Sequence, residues 1–171
     1  MRRVSAPSDR IAVMGAGVSA LVPALLADGY RSIEAIDLSD AALDQLRHAL
    51  GPDAAYVRFV RDDVRTVTFD APIDVWHDRA TFHFLTSPVD QAIYAANAAT
   101  AIRPGGHLVL ATFSPTGPEQ CSNLDVTRWD SDDLGAHFGD RFALVDTFTR
   151  DHRTPWGASQ SFTHAMLRRR N

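Results

Sequence analysis

The chain predicts an α/β fold: a doubly wound sheet, mostly parallel, with an antiparallel strand at its C-terminal edge. Three observations carry that reading. Short apolar runs alternate with segments of helical periodicity from residue 10 to residue 113. One of these runs, His107–Phe113, is apolar enough to be buried on both faces, as central parallel strands are. The last two strand-like runs are joined by a link of about eleven residues with no helical pattern. Such a link is too short and irregular for a crossover helix, so these runs should pair antiparallel.

Each element has a local cause. Arg10–Met14 is the first strand. Val18, Leu21, Val22, Leu25 and Leu26 then fall on one face of a helix that Gly29 ends. Ser32–Asp37 is the second strand, and Ser39 caps a helix whose Leu43, Leu46 and Leu50 recur until Gly51-Pro52 stops it. Tyr56–Arg61 and Ile73–His77 are the third and fourth strands. Ser87-Pro88-Val89-Asp90 supplies a cap, a proline at the first helical position and an acid near the positive helix end. The Ala-rich helix runs to about Ile102, where Arg103-Pro104-Gly105-Gly106 breaks it before the fifth strand, His107–Phe113. A polar loop over Ser114–Asn123, a short helix over Ser131–Phe138, and strands over Phe142–Thr149 and Ser161–Leu167 follow, with a loop from Arg150 to Gln160. Successive strand–helix units imply a parallel sheet with helices on both faces.

Composition narrows the classes. A length of 171 residues, 45% hydrophobic and 22% charged, suits one globular domain over residues 1–171. No apolar run approaches the ~18 residues that a bilayer requires, and Met1-Arg2-Arg3 leads into polar residues, so no membrane association and a cytoplasmic location are expected. The net charge of −4 argues against nucleic acid as the main partner, despite the basic Arg168-Arg169-Arg170 tail. The single cysteine, Cys121, cannot form an internal disulfide. Seven histidines invite a metal, but none has zinc-ligand spacing with a second His or Cys, so no metal site is expected.

The chemistry concentrates at strand ends. Gly15 and Gly17 stand where a buried strand turns into a helix and where a backbone without Cβ can approach a ligand. Asp37, twenty-two residues after Gly15, ends the next apolar run, placed to accept hydrogen bonds from ribose hydroxyls. In an open α/β sheet ligands lie beyond the carboxyl ends of the strands, which brings Gly15, Asp37, Asp63, His77 and Asp78 to one edge. The pattern reads as a nucleoside-cofactor site.

On these residues the chain resembles the class I S-adenosylmethionine-dependent methyltransferases over nearly its whole length. Gly15-Ala16-Gly17 and Ser19 resemble the glycine-rich first motif, Asp37-Leu38 the ribose-binding acid and its neighbour, and Asp63-Val64 the pair that meets the adenine. Arg103-Pro-Gly-Gly106 resembles the turn before the fifth strand. The finer pattern, with Gly29-Tyr30, Ile36-Asp-Leu-Ser39 and Asp78-Arg-Ala-Thr81, is similar to the branch containing lysine methyltransferases of translation factors and citrate synthase. Bacterial small-molecule methyltransferases with a Trp-His-Asp-Arg-Ala stretch look closer still. The resemblance implies a seven-stranded Rossmann-like fold, S-adenosyl-L-methionine as cofactor, with His77 beside it, and a small-molecule acceptor rather than a protein. Two departures stand out. Val13 occupies the position where many members carry an acid, and about nine residues precede the first strand. The expectation is therefore a domain lacking most of the usual N-terminal cap, whose open cleft suggests a homodimer.

Methyl transfer needs an in-line nucleophile held near ~3 Å, exclusion of water, and in some cases a base. The candidates for direct action are Asp78 and His83, although Asp78 could equally pair with Arg79 or a helix terminus. His152 and Trp156, in the loop between the last strands, are candidates for acceptor binding. Two alternatives share the same glycines and acid: an NAD(P)-binding Rossmann domain of oxidoreductase or sensing type, and a non-catalytic S-adenosylmethionine-binding protein. An antiparallel final strand favours methyl transfer over the dinucleotide reading.

Overall fold

A computed structural model describes residues 3–17, 19–154 and 157–171. The elements in chain order are β1 (Ile11–Met14), α1 (Leu21–Ala27), β2 (Ile33–Asp37), α2 (Asp40–Leu50), β3 (Val57–Arg61), β4 (Ile73–Arg79), α3 (Pro88–Ala101), β5 (Ile102–Phe113), the short β6 (Gln120–Cys121) and β7 (Leu124–Asp125), α4 (Ser131–Phe138), β8 (Phe142–Arg153) and β9 (Ser159–Arg169). Among the described residues one seven-stranded sheet runs in the order β3-β2-β1-β4-β5-β9-β8. β1 to β5 are mutually parallel, and β9 is antiparallel to both β5 and β8. The predicted mixed sheet is observed. Among the described residues no helix is long and apolar enough to cross a membrane.

Strand alternation divides the core into two layers. On one face Ile11 and Val13 pack with Val22, Leu25 and Leu26 of α1 and Leu43 and Leu46 of α2. On the other face Ala12, Met14, Trp76, Leu108 and Leu110 pack with Tyr94, Ala95 and Ala98 of α3 and Leu134 and Phe138 of α4. Each large apolar side chain so buried contributes ~1.5–3 kcal/mol. The central strands are closed on both sides, which accounts for the unbroken apolar run in β5.

Several elements differ from expectation, each for a physical reason. The crossover from β3 to β4 contains no helix; Val64 and Val67 are buried in it, and Asn97 of α3 donates to their carbonyls at 3.1 Å each, replacing a helical ladder. The Arg103–Gly106 turn lies inside β5, opposite a register irregularity between Ile73 and Val75. A Cβ on Gly106 would stand 2.7 Å from the Asp74 carbonyl, so only glycine permits that approach. The end of the loop predicted over Ser114–Asn123 enters the β6–β7 hairpin, turned by Ser122 and Asn123 at φ of 51° and 63°. The loop expected from Arg150 to Gln160 is mostly ladder: His152 pairs with Gln160 and Arg153 with Ser159. The first helix starts at Leu21 rather than at Val18, which lies outside the described residues.

β4 extends two residues beyond the predicted His77, so that Asp78 and Arg79 belong to the strand and face opposite sides. Asp78 faces the α3 layer, where its carboxylate is 1% exposed. It accepts from the Tyr94 hydroxyl at 2.7 Å and from the backbone N–H groups of Thr81 and Phe82 at 2.9 and 3.1 Å. Tyr94 in turn accepts from Trp76 Nε1 at 2.9 Å. The chain beyond β4 turns through Ala80 at φ 65°, a left-handed conformation that costs a non-glycine residue ~1–2 kcal/mol. The hydrogen bonds to Asp78 offset that strain. Replacing Tyr94 with Phe removes one acceptor–donor link on each side and should lower stability by ~1–3 kcal/mol in a urea titration; a change below ~0.5 kcal/mol would show the network is not stabilising.

Candidate functional site

The turn held by Asp78 forms one wall of a cavity of about 280 Å³ at the carboxyl ends of β1 to β4. It is lined by Gly15, Asp37, Leu38, Asp62, Val64, Arg79, Ala80, Thr81 and Phe84. Gly15 has φ 57°, and a Cβ there would lie 2.1 Å from Thr81 Oγ1, so the glycine loop and the β4 turn touch through this missing side chain. Asp37 joins two other segments. Its Oδ2 accepts from Gly17 N–H at 2.8 Å and its Oδ1 from Ser39 N–H at 2.9 Å. An ionised carboxylate offers about four acceptor positions, so these two bonds leave capacity for a ligand's hydroxyls. Leu38 beside it is 68% exposed, an apolar surface at the lip.

The sequence-predicted residues divide into groups. Gly15, Asp37, Leu38 and Val64 line the cavity. Ala16, Gly17 and Ser19 shape the loop: Ala16 N–H donates to the Ile36 carbonyl at 2.9 Å, Gly17 to Asp37, and Ser19 Oγ accepts from Leu21 N–H at 3.1 Å at the start of α1. Asp63 does not line the cavity. Arg65 takes both its oxygens and also reaches Asp90 at 2.9 Å, and the hydrogen bonds from Arg65 hold the Asp63 carboxyl below its ordinary range. Its neighbour Asp62 faces the cavity instead.

Asp78 and His83 are buried, His77 is partly buried, and none of the three lines the cavity wall. Burial pushes the Asp78 carboxyl up to about 6 against the pull of its donors, so it is ionised but fully engaged at neutral pH. Of the roles expected for Asp78, the bonds from the Thr81 and Phe82 N–H groups match pairing with a helix terminus, the single 3-10 turn Phe82–Phe84; pairing with Arg79 is corrected, since the two side chains leave opposite faces of the strand, and the carboxylate is off the cavity wall. His83 packs edge-on against Phe84, ring centroids 4.6 Å apart, and against Phe113 at 4.7 Å, with neither ring nitrogen partnered. Burial, then repulsion by Arg79, lowers it to about 4. Burial likewise lowers His77 to about 4, and its Nδ1 is unpartnered. His152 stands on β8, on the wall of a second cavity described below, and Trp156 lies outside the described residues. No group of three metal-ligating side chains occurs among the described residues.

Asp62, Arg79, Thr81 and Phe84 were missed. For Arg79 a signal existed: if one of two adjacent strand residues points into a helix layer, the other faces away from it. For Asp62 and Asp63 the deciding feature was Arg65, placed two residues on to claim the nearer carboxylate.

The family model for a methyltransferase domain matches residues 11–106. Among solved structures, a SAM-dependent methyltransferase from Methanosarcina mazei superposes with a TM-score of 0.82 at 15% identity, covering 99% of this chain and 96% of that one. An S-adenosylmethionine-dependent methyltransferase from Mesorhizobium loti gives 0.77 at 17% identity, covering 98% and 95%. The 1,6-didemethyltoxoflavin-N1-methyltransferase of Burkholderia thailandensis gives 0.75 at 20% identity, covering 96% and 72%. At these identities the likeness is one of fold. No curated protein matches the chain significantly.

Two predictions follow from the geometry. Gly15→Ala should destabilise by ~2 kcal/mol or more, from backbone strain plus the collision with Thr81. Adding Thr81→Ala should recover the collision but leave the ~1–2 kcal/mol backbone cost; urea titrations of both variants separate the two. The second concerns acid. Between pH 6.5 and about 4 the unfolded chain binds protons at His77 and His83 that the folded chain refuses, so stability is lost as pH falls. Asp78, raised to about 6, works oppositely from about 6 down to 3.8, and two imidazoles outweigh one carboxyl. The urea midpoint should be lower at pH 5 than at pH 7.5, and His77→Leu should shrink the difference.

Proposed function

The chain belongs to the methyltransferase-domain family, and from that premise we propose that it moves a methyl group from S-adenosylmethionine to a small-molecule acceptor by in-line displacement. The observation that carries the reading is Asp37, which ties the Gly15–Gly17 loop to the start of α2 while facing a cavity at the strand ends. The residues present suit an adenosyl group. Gly15 brings backbone without a side chain to the cavity wall, Asp37 retains acceptor capacity for two hydroxyls, and Leu38 and Val64 offer apolar surface for a flat base. Asp62 takes the role first expected of Asp63, as acceptor for an amino group on the base.

When bound, the cofactor supplies a methyl group already activated on a sulfonium, so the protein's task is positioning and exclusion of water. Asp37 would hold the sugar hydroxyls, with the glycine loop that it fixes alongside. Asp78 is a positioning residue: it fixes the turn that sets Thr81 and Phe84 on the wall. His83, expected as a base, is fully buried against Phe84 and off the cavity wall, and burial lowers it to about 4, so the reading rests on positioning and not on a base at this residue. The Burkholderia relative holds 1,6-didemethyltoxoflavin together with S-adenosylhomocysteine, which supports a small acceptor here.

The antiparallel β9 counts against a dinucleotide-binding domain, whose six-stranded order is wholly parallel. A second reading, cofactor binding without turnover, is favoured by Val13, which sits 2% exposed in the core where many relatives have an acid.

Calorimetry with S-adenosylhomocysteine, NAD and NADP tests the reading. The homocysteine product should bind, and neither dinucleotide should compete. Asp37→Asn should weaken that binding about 10-fold, since a charged acceptor contributes ~1.5 kcal/mol or more. Tighter binding of NAD, or unchanged affinity in the variant, would overturn it.

A further inference from the structure

The face of the sheet opposite α3 carries a second cavity, about 370 Å³, beyond the carboxyl end of β4. Register brings its residues together. Arg79 aligns with Ala111 of β5, Ala111 with His164 of β9, and His164 with Phe148 of β8. In the next row Phe113 aligns with Phe162 and Phe162 with Arg150, and beyond it Gln160 aligns with His152. Aligned residues on neighbouring strands share a face. The result is an aromatic floor, with Phe148 and His164 stacked at 4.6 Å and 9°, and Arg79 lying over the Phe162 ring at 4.8 Å.

The charges around this floor are unbalanced. Arg79, Arg150 and Arg153 line the cavity with His152, and Asp151 is the one acid on its wall. None of these three arginines forms an ion pair among the described residues, in a chain whose net charge is −4. Elsewhere arginines of this chain find carboxylates: Arg10 holds Glu34 and Asp70, Arg65 holds Asp63 and Asp90, Arg103 holds Asp74, and Arg128 holds Glu119. Unpaired guanidinium groups beside an aromatic surface are a receptor for an anion, since they bind carboxylate and phosphate with two parallel hydrogen bonds. The local field is felt by neighbours: His164 is held below its ordinary pKa by burial and then by Arg79 and Arg150.

Arg79 also lines the first cavity, so the two meet at one side chain. We propose that the methyl acceptor is an anion, a small molecule whose carboxylate or phosphate group is held by Arg79 and Arg150 over the Phe162–His164 floor. This rests on the methyltransferase reading above and names the class of substrate that the same rim would take. Positive charge at the mouth would also draw such a molecule to an otherwise acidic protein.

The test uses the full chain saturated with S-adenosylhomocysteine and three probes in calorimetry: benzoate, phenyl phosphate and the neutral benzamide. Benzoate or phenyl phosphate should bind at least 10-fold more tightly than benzamide, and the tighter of the two identifies the preferred anion. Affinity should fall as sodium chloride is raised. Arg150→Gln should weaken the preferred anion at least 10-fold, while Arg168→Gln, on the opposite end of β9, should not; circular dichroism and the thermal midpoint confirm that both variants fold. Equal binding of benzamide and the anions, binding of none of the three, or unchanged anion affinity in Arg150→Gln would overturn the proposal. Failure to bind S-adenosylhomocysteine would instead overturn the cofactor reading, so the two outcomes are separable.

Discussion

The buried carboxylate of Asp78 is the constraint on which the rest of the site depends. A charge 1% exposed survives in a protein interior only where donors replace water, and here Tyr94 and two backbone N–H groups do so. Those N–H groups belong to the turn after β4, so satisfying the charge and shaping the turn are one event. The strained Ala80 conformation and the contact of Thr81 with Gly15 both follow. An acid at the end of this strand is thus an anchor for the reactive rim rather than a member of it.

The same strand separates structure from chemistry through its pleat. Trp76 and Asp78 face the α3 layer and serve the core, while Arg79 leaves on the other side and reaches both cavities. Because β4 lies at the centre of the sheet, its end is flanked by β1 and the glycine loop on one side and by β5 and β9 on the other. The two cavities therefore lie at neighbouring strand ends and meet at Arg79. The antiparallel β8–β9 pair extends the sheet beyond β5, with β9 contributing buried side chains and the outer β8 largely exposed.

Charge is distributed with a similar division. Around the amino ends of the strands, Arg10, Arg58, Glu34 and Asp70 neutralise one another in a closed network. At the carboxyl ends, Asp37 and Asp62 face the first cavity and Arg150 and Arg153, without an ion pair among the described residues, the second, with Arg79 between them. A hydroxyl-rich, cationic cofactor and an anionic acceptor would each meet complementary surface, which gives orientation as well as affinity.

What the sequence alone determined is whatever depends on local spacing. Helical and strand periodicities, the Ser39 cap, the glycine turn and the irregular final connection predicted the mixed sheet, and the interval from Gly15 to Asp37 located an acid that lines the cavity at the strand ends. Only the tertiary structure decided which of two adjacent polar residues faces a cavity. Asp62 rather than Asp63 reaches the cavity because Arg65 and Asp90, from separate segments, capture its neighbour. Arg79 rather than Asp78 is turned outward because Tyr94, sixteen residues on, binds the carboxylate within the core. Such choices are settled by partners distant in sequence, through packing and charge pairing that no local pattern encodes.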